Sequence, residues 1–191
     1  MPDIKALKKE LRRQCRERSA ALTEAYRRDA DMAIREAVLN AERWRRAEAV
    51  FVYVSMWAEP DTRTLIEDAL SAGKTVYVPL CCPDRTMKAV RIRGLDELHP
   101  GTLGIPEPPE DGESAAPGEL DLALVPCMSV TRSGARLGHG AGYYDRFLAL
   151  HRCPALCLCY EAMLCDEIPL DEYDVRMDAV VTEKGVFAIV R

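Results

Sequence analysis

Hydrophobic residues recur at three- and four-residue steps through the first 44 residues, which predicts two amphipathic helices. The first covers residues 3–18 and the second residues 23–44, with Thr23 placed as an N-cap. The apolar face of the first helix carries Ile4, Leu7, Leu11 and Cys15. Stripes of this kind indicate packing against a core, so we expect the N-terminal helices, residues 3–46, to pack on a sheet.

From residue 49 onwards the period changes to short continuous apolar runs, as in strands buried on both faces. Residues 62–72 form a helix between two such runs, and Gly73 is placed to end it in a left-handed conformation. This strand–helix–strand unit predicts parallel strands joined by a right-handed crossover. The predicted strands are residues 49–54, 75–79, 86–92, 120–126, 155–160, 178–182 and 186–190, the last two as a hairpin.

The predicted fold is therefore α/β, with a mostly parallel central sheet flanked by helices in a Rossmann-like three-layer arrangement. Its 191 residues suit a single domain covering residues 1–191. Residues 100–118 hold five prolines and four glycines, which predicts an irregular loop.

Composition narrows the function classes. Apolar residues make up 48% of the chain and charged residues 30%, which excludes wholesale disorder. The net charge of −5 disfavours a nucleic-acid partner. No apolar run is long enough for a membrane helix, and the charged N-terminus has no signal-peptide core, so we expect a cytoplasmic protein without a membrane partner. We also expect a monomer, whose eight cysteines are mainly free buried thiols.

The segment with most chemical content follows the strand at 120–126. A loop holds glycines at 134, 138, 140 and 142, and an amphipathic helix begins directly after it. Closely spaced glycines let backbone N–H groups converge on anionic oxygens, and the helix adds its positive end. Arg136 and His139 add donors. The spacing is neither the dinucleotide fingerprint nor the P-loop, so the pattern alone fits either a phosphate-binding loop or a tight turn.

The sequence RLGHGAGYYDRFL closely resembles the signature RLGxGxGYYDRxL of the 5-formyltetrahydrofolate cyclo-ligase family. The resemblance extends from about residue 5 to residue 182. Lys8, Leu11 and Arg12 match a KxxLR pattern in the first helix, and Glu59 lies after the first strand as in the family. YDVRMDAVVT resembles a WDxxxDxVVT motif and contains Asp174 and Asp178.

The resemblance implies conversion of 5-formyltetrahydrofolate, with or without a polyglutamate tail, to 5,10-methenyltetrahydrofolate at the expense of ATP and with Mg²⁺. An amide oxygen is a poor leaving group, which explains the need to phosphorylate it. The protein then aligns the reactants and stabilises charge during phosphoryl transfer, without a nucleophile of its own.

Site residues carried over from the family fall into four sets, all as expectations. Arg136 and Tyr144 are the expected catalytic residues, and Asp145 and Asp174 the expected magnesium ligands. Glu59 is the expected anchor for the pterin N–H groups. The expected ATP contacts are Lys8, Lys9, Glu10, Leu11, Arg12, Arg136, Leu137, Gly138, His139, Gly140, Ala141, Gly142, Tyr143 and Tyr144. The expected folate contacts are Arg12, Val54, Glu59, His139, Gly140, Ala141, Gly142 and Tyr143.

Three positions depart from the family pattern, which often has Gly or Lys at 141, an aliphatic residue at 60 and Gly at 127. Here they are Ala141, Pro60 and Cys127. None removes a group that the chemistry requires. Trp57, beside Glu59, is interpreted as an ordinary partly buried tryptophan.

Three alternatives stay open on the sequence. The cysteines allow a structural metal or redox site, although no CxxC pair is present. The chain also allows a non-catalytic folate- or nucleotide-binding module of the same fold. An unrelated α/β enzyme acting on a phosphorylated sugar or a CoA ester would share the fold and the glycine loop.

Overall fold

Five α-helices and eleven strands succeed one another in the computed structural model, which describes residues 3–101 and 104–189. The helices are α1 (Ile4–Ala20), α2 (Glu24–Asn40), α3 (Glu42–Arg46), α4 (Arg63–Ser71) and α5 (Tyr143–His151). The strands are β1 (Ala49–Val52), β2 (Thr75–Cys81), β3 (Met87–Ile92), β4 (His99–Pro100), β5 (Pro106–Glu107), β6 (Leu122–Val125), β7 (Ser129–Val130), β8 (Arg136–Leu137), β9 (Ala155–Leu158), β10 (Ala179–Thr182) and β11 (Gly185–Ala188).

The N-terminal helices follow the periodicity of the sequence with one exception. The side chain of Thr23 accepts a hydrogen bond from the Tyr26 N–H at 3.1 Å, which confirms the predicted N-cap. The prediction of one helix over residues 23–44 is wrong, because Ala41 is extended (ψ 131°) and separates α2 from α3. Trp44, in the short helix after this break, is buried.

Seven strands form the main sheet in the order β11-β10-β9-β6-β1-β2-β3. The five central strands are parallel, and the edge strands β3 and β11 are antiparallel to their neighbours. The predicted α/β fold with a mostly parallel sheet is confirmed, as is the strand at 86–92. Gly73 ends α4 with φ +78°, as predicted. Residue 190 of the predicted closing hairpin lies outside the described residues.

The predicted irregular loop contains some regular pairing. Strands β4 and β5 form a short antiparallel hairpin, and Ser114 makes an isolated bridge to Val90 of β3. Residues 102 and 103 of this loop lie outside the described residues.

Sheet topology places a crevice beside the middle strands. The crossover from β1 through α4 leads to β2 on one side, whereas the crossover from β6 through α5 leads to β9 on the other. Right-handed crossovers that leave in opposite directions put α4 and α5 on opposite faces of the sheet. The neighbouring strands β1 and β6 are therefore a topological switch point, where a crevice opens beyond the carboxyl ends of the strands.

The core lies on both faces of these strands. Phe51 of β1 is fully buried, and its ring lies 4.4 Å from that of Phe147 in α5, measured between centroids. Helix α2 packs on β10 and β11. None of the helices in the described ranges combines the length and the apolar character needed to cross a bilayer.

Candidate active site

A cavity of about 1410 Å³ opens at the switch point. Its walls come from α1, the segment that follows β1, the segment that follows β6, residues 136–142 of the glycine loop (residues 134–142), the start of α5 and residues 171–175. Ile105 and Glu107, from the predicted irregular loop, also line it. Elements from both ends of the chain thus meet around one site.

Two glycines near the end of the glycine loop adopt positive φ. Gly140 has φ +105° and Gly142 has φ +73°, values that L-residues adopt only with strain. Gly142 is also the N-cap residue of α5. The loop therefore ends at the positive N-terminus of the nine-residue helix α5, an arrangement that favours the binding of anions.

Three arginines cover three glycines of this loop. A Cβ added to each glycine would collide with or crowd a guanidinium group. The pairs are Gly138 with Arg136 Nη1 at 2.9 Å, Gly140 with Arg12 Cζ at 3.2 Å, and Gly142 with Arg146 Nη1 at 2.9 Å. The absence of side chains thus lets three cations lie directly on the loop.

Arg136 is a buried cation with fixed geometry. Its Nη2 donates to Asp145 Oδ2 at 3.0 Å and its Nη1 to the Pro126 carbonyl at 3.3 Å. The guanidinium carbon lies 5.4 Å from the centre of the Tyr144 ring. Among the described residues no acceptor contacts Arg136 Nε, so one buried donor is left for another partner.

Helix α1 brings two more cations to the site. Arg12 Nε donates to the Gly138 carbonyl at 2.8 Å. Lys8 is 7% exposed and donates to Asp171 at 3.0 Å and to Asp174. Burial lowers the pKa of Lys8, but its hydrogen bonds to Asp174 and Asp171 more than offset this, and the net shift is upward. Lys8 therefore stays charged.

The other predicted contacts of α1 have different surroundings. Lys9 is exposed, and Glu10 bonds to Arg13 and Gln14 on the outer face of the helix. Leu11 packs against the core. None of these three side chains lines the cavity.

Asp145 and Asp174 lie close together, because the Val175 N–H donates to Asp145 Oδ1 at 3.2 Å. Asp174 Oδ2 accepts from Lys8 and from the Asp171 N–H, while its Oδ1 accepts no hydrogen bond from the described residues. Hard carboxylate oxygens with unused lone pairs, facing a cavity, fit Mg²⁺ completed by water and phosphate oxygens. No group of three or more His, Cys, Asp or Glu side chains suited to a metal occurs in residues 3–101 and 104–189.

Glu59 is held in a compact turn after β1. It is 6% exposed, its Oε2 accepts from the Met56 N–H at 2.9 Å, and its Oε1 lies 3.4 Å from His139 Nε2 of the glycine loop. Tyr160 donates to its backbone carbonyl at 3.1 Å. A buried carboxylate therefore lies at the cavity wall within contact of the glycine loop.

Side chains near Glu59 complete this wall. Val54 is buried and lines the cavity, as do Tyr143 and Tyr144. Trp57 also lines it but is 78% exposed, so the interpretation as a partly buried tryptophan is wrong. The Arg27 guanidinium lies over the Trp57 ring, 5.3 Å from its centre.

Sequence reasoning missed Arg146 and Asp171. Arg146 lies inside the motif GYYDR and four residues after Gly142, a spacing that places it over the first turn of α5. That spacing could have identified Arg146 as a residue of the site. No local pattern in the sequence identifies Asp171, because its contact with Lys8 joins residues 163 positions apart.

Comparison with known proteins agrees with this geometry. Residues 4–183 match the 5-formyltetrahydrofolate cyclo-ligase family. The chain is 35% identical to the 5-formyltetrahydrofolate cyclo-ligase of Mycolicibacterium smegmatis, with 85% of this chain and 91% of that protein covered. It is 28% identical to the mouse protein of the same name, with 94% and 95% covered. The NMR structure of Aquifex aeolicus 5,10-methenyltetrahydrofolate synthetase superimposes with a TM-score of 0.84 at 27% identity, covering 97% and 94%.

Fold and site together define an α/β enzyme whose cavity lies at the switch point of a parallel sheet, bordered by an arginine-covered glycine loop. The chain belongs to the 5-formyltetrahydrofolate cyclo-ligase family. The resemblance seen in the sequence is thus confirmed, and so is the enzyme class.

Proposed function

We propose that this protein uses MgATP to cyclise 5-formyltetrahydrofolate to 5,10-methenyltetrahydrofolate, releasing ADP and phosphate. One observation carries the proposal: the buried carboxylate of Glu59 and the arginine-covered glycine loop meet in one cavity, 3.4 Å apart at His139. A reaction that transfers a phosphoryl group from ATP to the formyl group of a folate needs a pterin-binding group and a phosphate-binding group side by side.

The proposed chemistry has two steps. The formyl oxygen attacks the terminal phosphorus of ATP, a P–O bond forms, and ADP leaves. The folate N10 then attacks the activated formyl carbon and loses its proton, and the C–O bond breaks to expel phosphate. The enzyme's share is positioning and charge stabilisation.

Residues of the glycine loop and α1 bind the nucleotide in this proposal. The loop N–H groups and the positive end of α5 face the phosphates, while Arg12 and Arg136 balance the charge that develops on them. Leu137, Gly138 and Ala141 contribute backbone only. The contacts of Lys9, Glu10 and Leu11 with ATP stay predictions.

Glu59 accepts two adjacent pterin N–H groups, and His139, Val54 and Tyr143 border the folate. Burial raises the pKa of Tyr144 well above its ordinary value, so its hydroxyl stays protonated and acts as a donor beside Arg136. Asp145 and Asp174 would hold Mg²⁺, which neutralises phosphate charge when bound. The substrate's polyglutamate preference, the monomeric state, the cytoplasmic location and the lack of nucleic-acid and membrane partners stay predictions.

A turnover assay tests the proposal. Purified protein with 5-formyltetrahydrofolate and MgATP should generate the near-ultraviolet absorbance of the methenyl product, and omission of ATP should abolish it. Folate binding without turnover would replace the proposal with a non-catalytic module of the same fold, and no folate binding would reject the substrate.

Two variants test the roles proposed for Arg136 and Glu59. Arg136→Ala should lower kcat/KM about 10²–10³-fold, since it removes a positioned cation. Arg35→Ala is the matched control, because Arg35 pairs with Asp68 outside the cavity. Glu59→Gln should raise the folate KM roughly tenfold or more through loss of charge-assisted hydrogen bonds, with the ATP KM little changed. Equal effects on both substrates would contradict separate folate and nucleotide roles.

A further inference from the structure

Trp57 presents a large aromatic surface to solvent at the rim of the cavity. Its side chain is 78% exposed, whereas Glu59, two residues further along the same turn, is buried. Tryptophan is highly buried on average, because its ring is one of the largest apolar surfaces that a side chain has. An exposed indole beside a buried carboxylate is therefore suited to a ligand that is anchored inside and extends outwards.

The indole is supported from one side by a cation that is itself held in place. The Arg27 guanidinium lies 5.3 Å from the centre of the Trp57 ring and 5.5 Å from that of the Tyr160 ring. Arg27 Nη2 donates to the Ser19 carbonyl at 2.6 Å and to Ser19 Oγ at 3.0 Å, near the end of α1. Attraction between the cation and the indole fixes one face of the ring, and its exposure leaves the other face open for a second planar group.

A second, smaller cavity adjoins the first at Trp57. It has a volume of about 370 Å³ and shares Met56, Trp57, Glu59 and Tyr160 with the larger cavity. No residue of the glycine loop lines it. A ligand anchored at Glu59 can therefore continue over the indole into the second cavity, away from the loop to which the nucleotide is assigned.

One cation of the second cavity has no partner of its own. Arg63, the first residue of α4, is exposed, and its guanidinium makes no hydrogen bond or ion pair within the described part of the chain. The carboxylates of this cavity are bonded to its wall. Asp31 accepts from the Tyr160 hydroxyl at 2.8 Å and from the Asp61 N–H at 3.1 Å, and Asp61 accepts from the Ser55 hydroxyl at 3.0 Å. The charge of Arg63 is therefore left for an anionic group of a ligand.

We propose that Trp57 binds the aminobenzoyl ring of the folate and that Arg63 binds the carboxylates of its glutamate tail, an inference that rests on the proposed function. A folate has a pterin with adjacent N–H donors, then a planar arene across a short bridge, then a carboxylate tail. The protein has the matching groups in the same order: the buried carboxylate of Glu59, the open face of Trp57 and the unpaired cation of Arg63. These two side chains thus select folates by their tail.

The turn that carries both residues separates their directions. The Glu59 N–H donates to the Met56 carbonyl at 3.0 Å, which closes a tight turn over residues 56–59. Within this turn the Glu59 carboxylate faces His139 at 3.4 Å, whereas Trp57 faces solvent. The reacting end of the folate thus stays beside the glycine loop while its tail leaves over Trp57.

Tryptophan fluorescence tests the contact directly, because the only other tryptophan, Trp44, is buried. Acrylamide should quench Trp57 in the free protein, and 5-formyltetrahydrofolate should protect it. The truncated compound 5-formyl-6-methyltetrahydropterin, which lacks the arene and the tail, should bind without protecting it. Trp57→Phe is the control and should lose the quenchable signal. Equal protection by the two compounds, or bound folate without protection, would overturn the proposal.

Kinetics of Trp57→Ala measure what the contact contributes. Its KM for 5-formyltetrahydrofolate should rise about three- to tenfold through loss of aromatic stacking, with the KM for ATP unchanged. Trp57→Phe should restore most of the affinity. The inhibition constant of the truncated pterin should be the same in the wild-type protein and in Trp57→Ala. An equal weakening of that pterin would assign the effect to a disturbed Glu59 and refute stacking.

Arg63→Ala tests the recognition of the tail. Its KM for 5-formyltetrahydrofolate should rise about two- to fivefold, as expected for an exposed ion pair. The KM for 5-formyltetrahydropteroyl amide, in which a neutral amide replaces the glutamate, should not change. Arg43→Ala, on the exposed side of α3, is the matched control and should alter neither constant. An equal rise for both substrates would refute the role of Arg63.

The outcomes distinguish this inference from the proposed function. A wild-type protein that neither turns over nor binds 5-formyltetrahydrofolate would overturn both. Normal turnover by the wild-type protein, with unchanged folate KM in Trp57→Ala and in Arg63→Ala, would overturn the inference alone.

Discussion

The guanidinium of Arg12 lies over Gly140, so close that a Cβ added to the glycine would be 3.2 Å from Arg12 Cζ. The same side chain donates to the Gly138 carbonyl at 2.8 Å, across 126 residues of sequence. Helix α1 and the glycine loop are therefore one functional unit. The space that permits this contact exists only because residue 140 has no side chain.

Gly140→Ala should weaken nucleotide binding. It combines φ +105° with a Cβ against Arg12, so the loop or the arginine must move. We expect a stability loss of about 1–3 kcal/mol and a rise of tenfold or more in the ATP KM. Gly73→Ala is the matched control, with φ +78° and no atom near its Cβ. It should lower the melting temperature and leave the ATP KM unchanged; an equal KM effect in both variants would contradict the prediction.

Asp174→Asn should raise the Mg²⁺ concentration needed for half-maximal turnover about tenfold, because it removes one of two proposed carboxylate ligands. Asp171→Asn is a strict control, since Asp171 also bonds Lys8 but is not a proposed ligand. A Mg²⁺ titration at saturating folate distinguishes them. Identical shifts in both variants would assign the effect to Lys8 rather than to the metal.

Arg146→Ala should raise the ATP KM about three- to tenfold and leave the folate KM unchanged. Arg146 donates to the Ala141 carbonyl at 2.8 Å and, through Nε, to the Arg85 carbonyl at 3.0 Å, which ties the glycine loop to the β2–β3 turn. Loss of one or two such hydrogen bonds is worth about 0.7–1.4 kcal/mol. Arg28→Ala, on the surface of α2, should change neither constant.

His151 should make stability depend on pH in the mildly acidic range. Burial lowers the pKa of His151 below its ordinary value of 6.5, and its ring Nδ1 has no partner among the described residues. As pH falls through 6.5 the unfolded chain takes up a proton that the folded chain does not, so stability declines. The decline is up to about 1.4 kcal/mol per pH unit. Urea denaturation of His151→Gln should lack this slope, and His99→Gln should keep it.

Most of the secondary structure and the class of fold could be predicted from local patterns in the sequence. Local spacing sets the exposed face of α1, the cap at Thr23, the left-handed end at Gly73 and the buried parallel strands, because these depend on neighbours a few residues away. The prediction from hydrophobic periodicity was wrong at Ala41, where the apolar stripe continues although the helix ends. Hydrophobic periodicity does not show that the chain turns at Ala41 and buries Trp44 in the core.

Much of the site could also be named from the sequence. The glycine loop, Arg136, Asp145 and Glu59 form recognisable motifs, and all of them line one cavity. The exposure of Trp57 was missed, because burial of a side chain in a turn depends on what packs over that turn.

The contacts between distant segments of the chain could not be predicted and are visible only in the folded structure. The tertiary fold brings Lys8 to Asp174 and Arg12 to the Gly138 carbonyl. Such contacts join residues more than a hundred positions apart, and hydrophobic periodicity carries no information on them. Periodicity specifies which face of each element is buried, whereas the order and direction of the strands specify which of those elements meet.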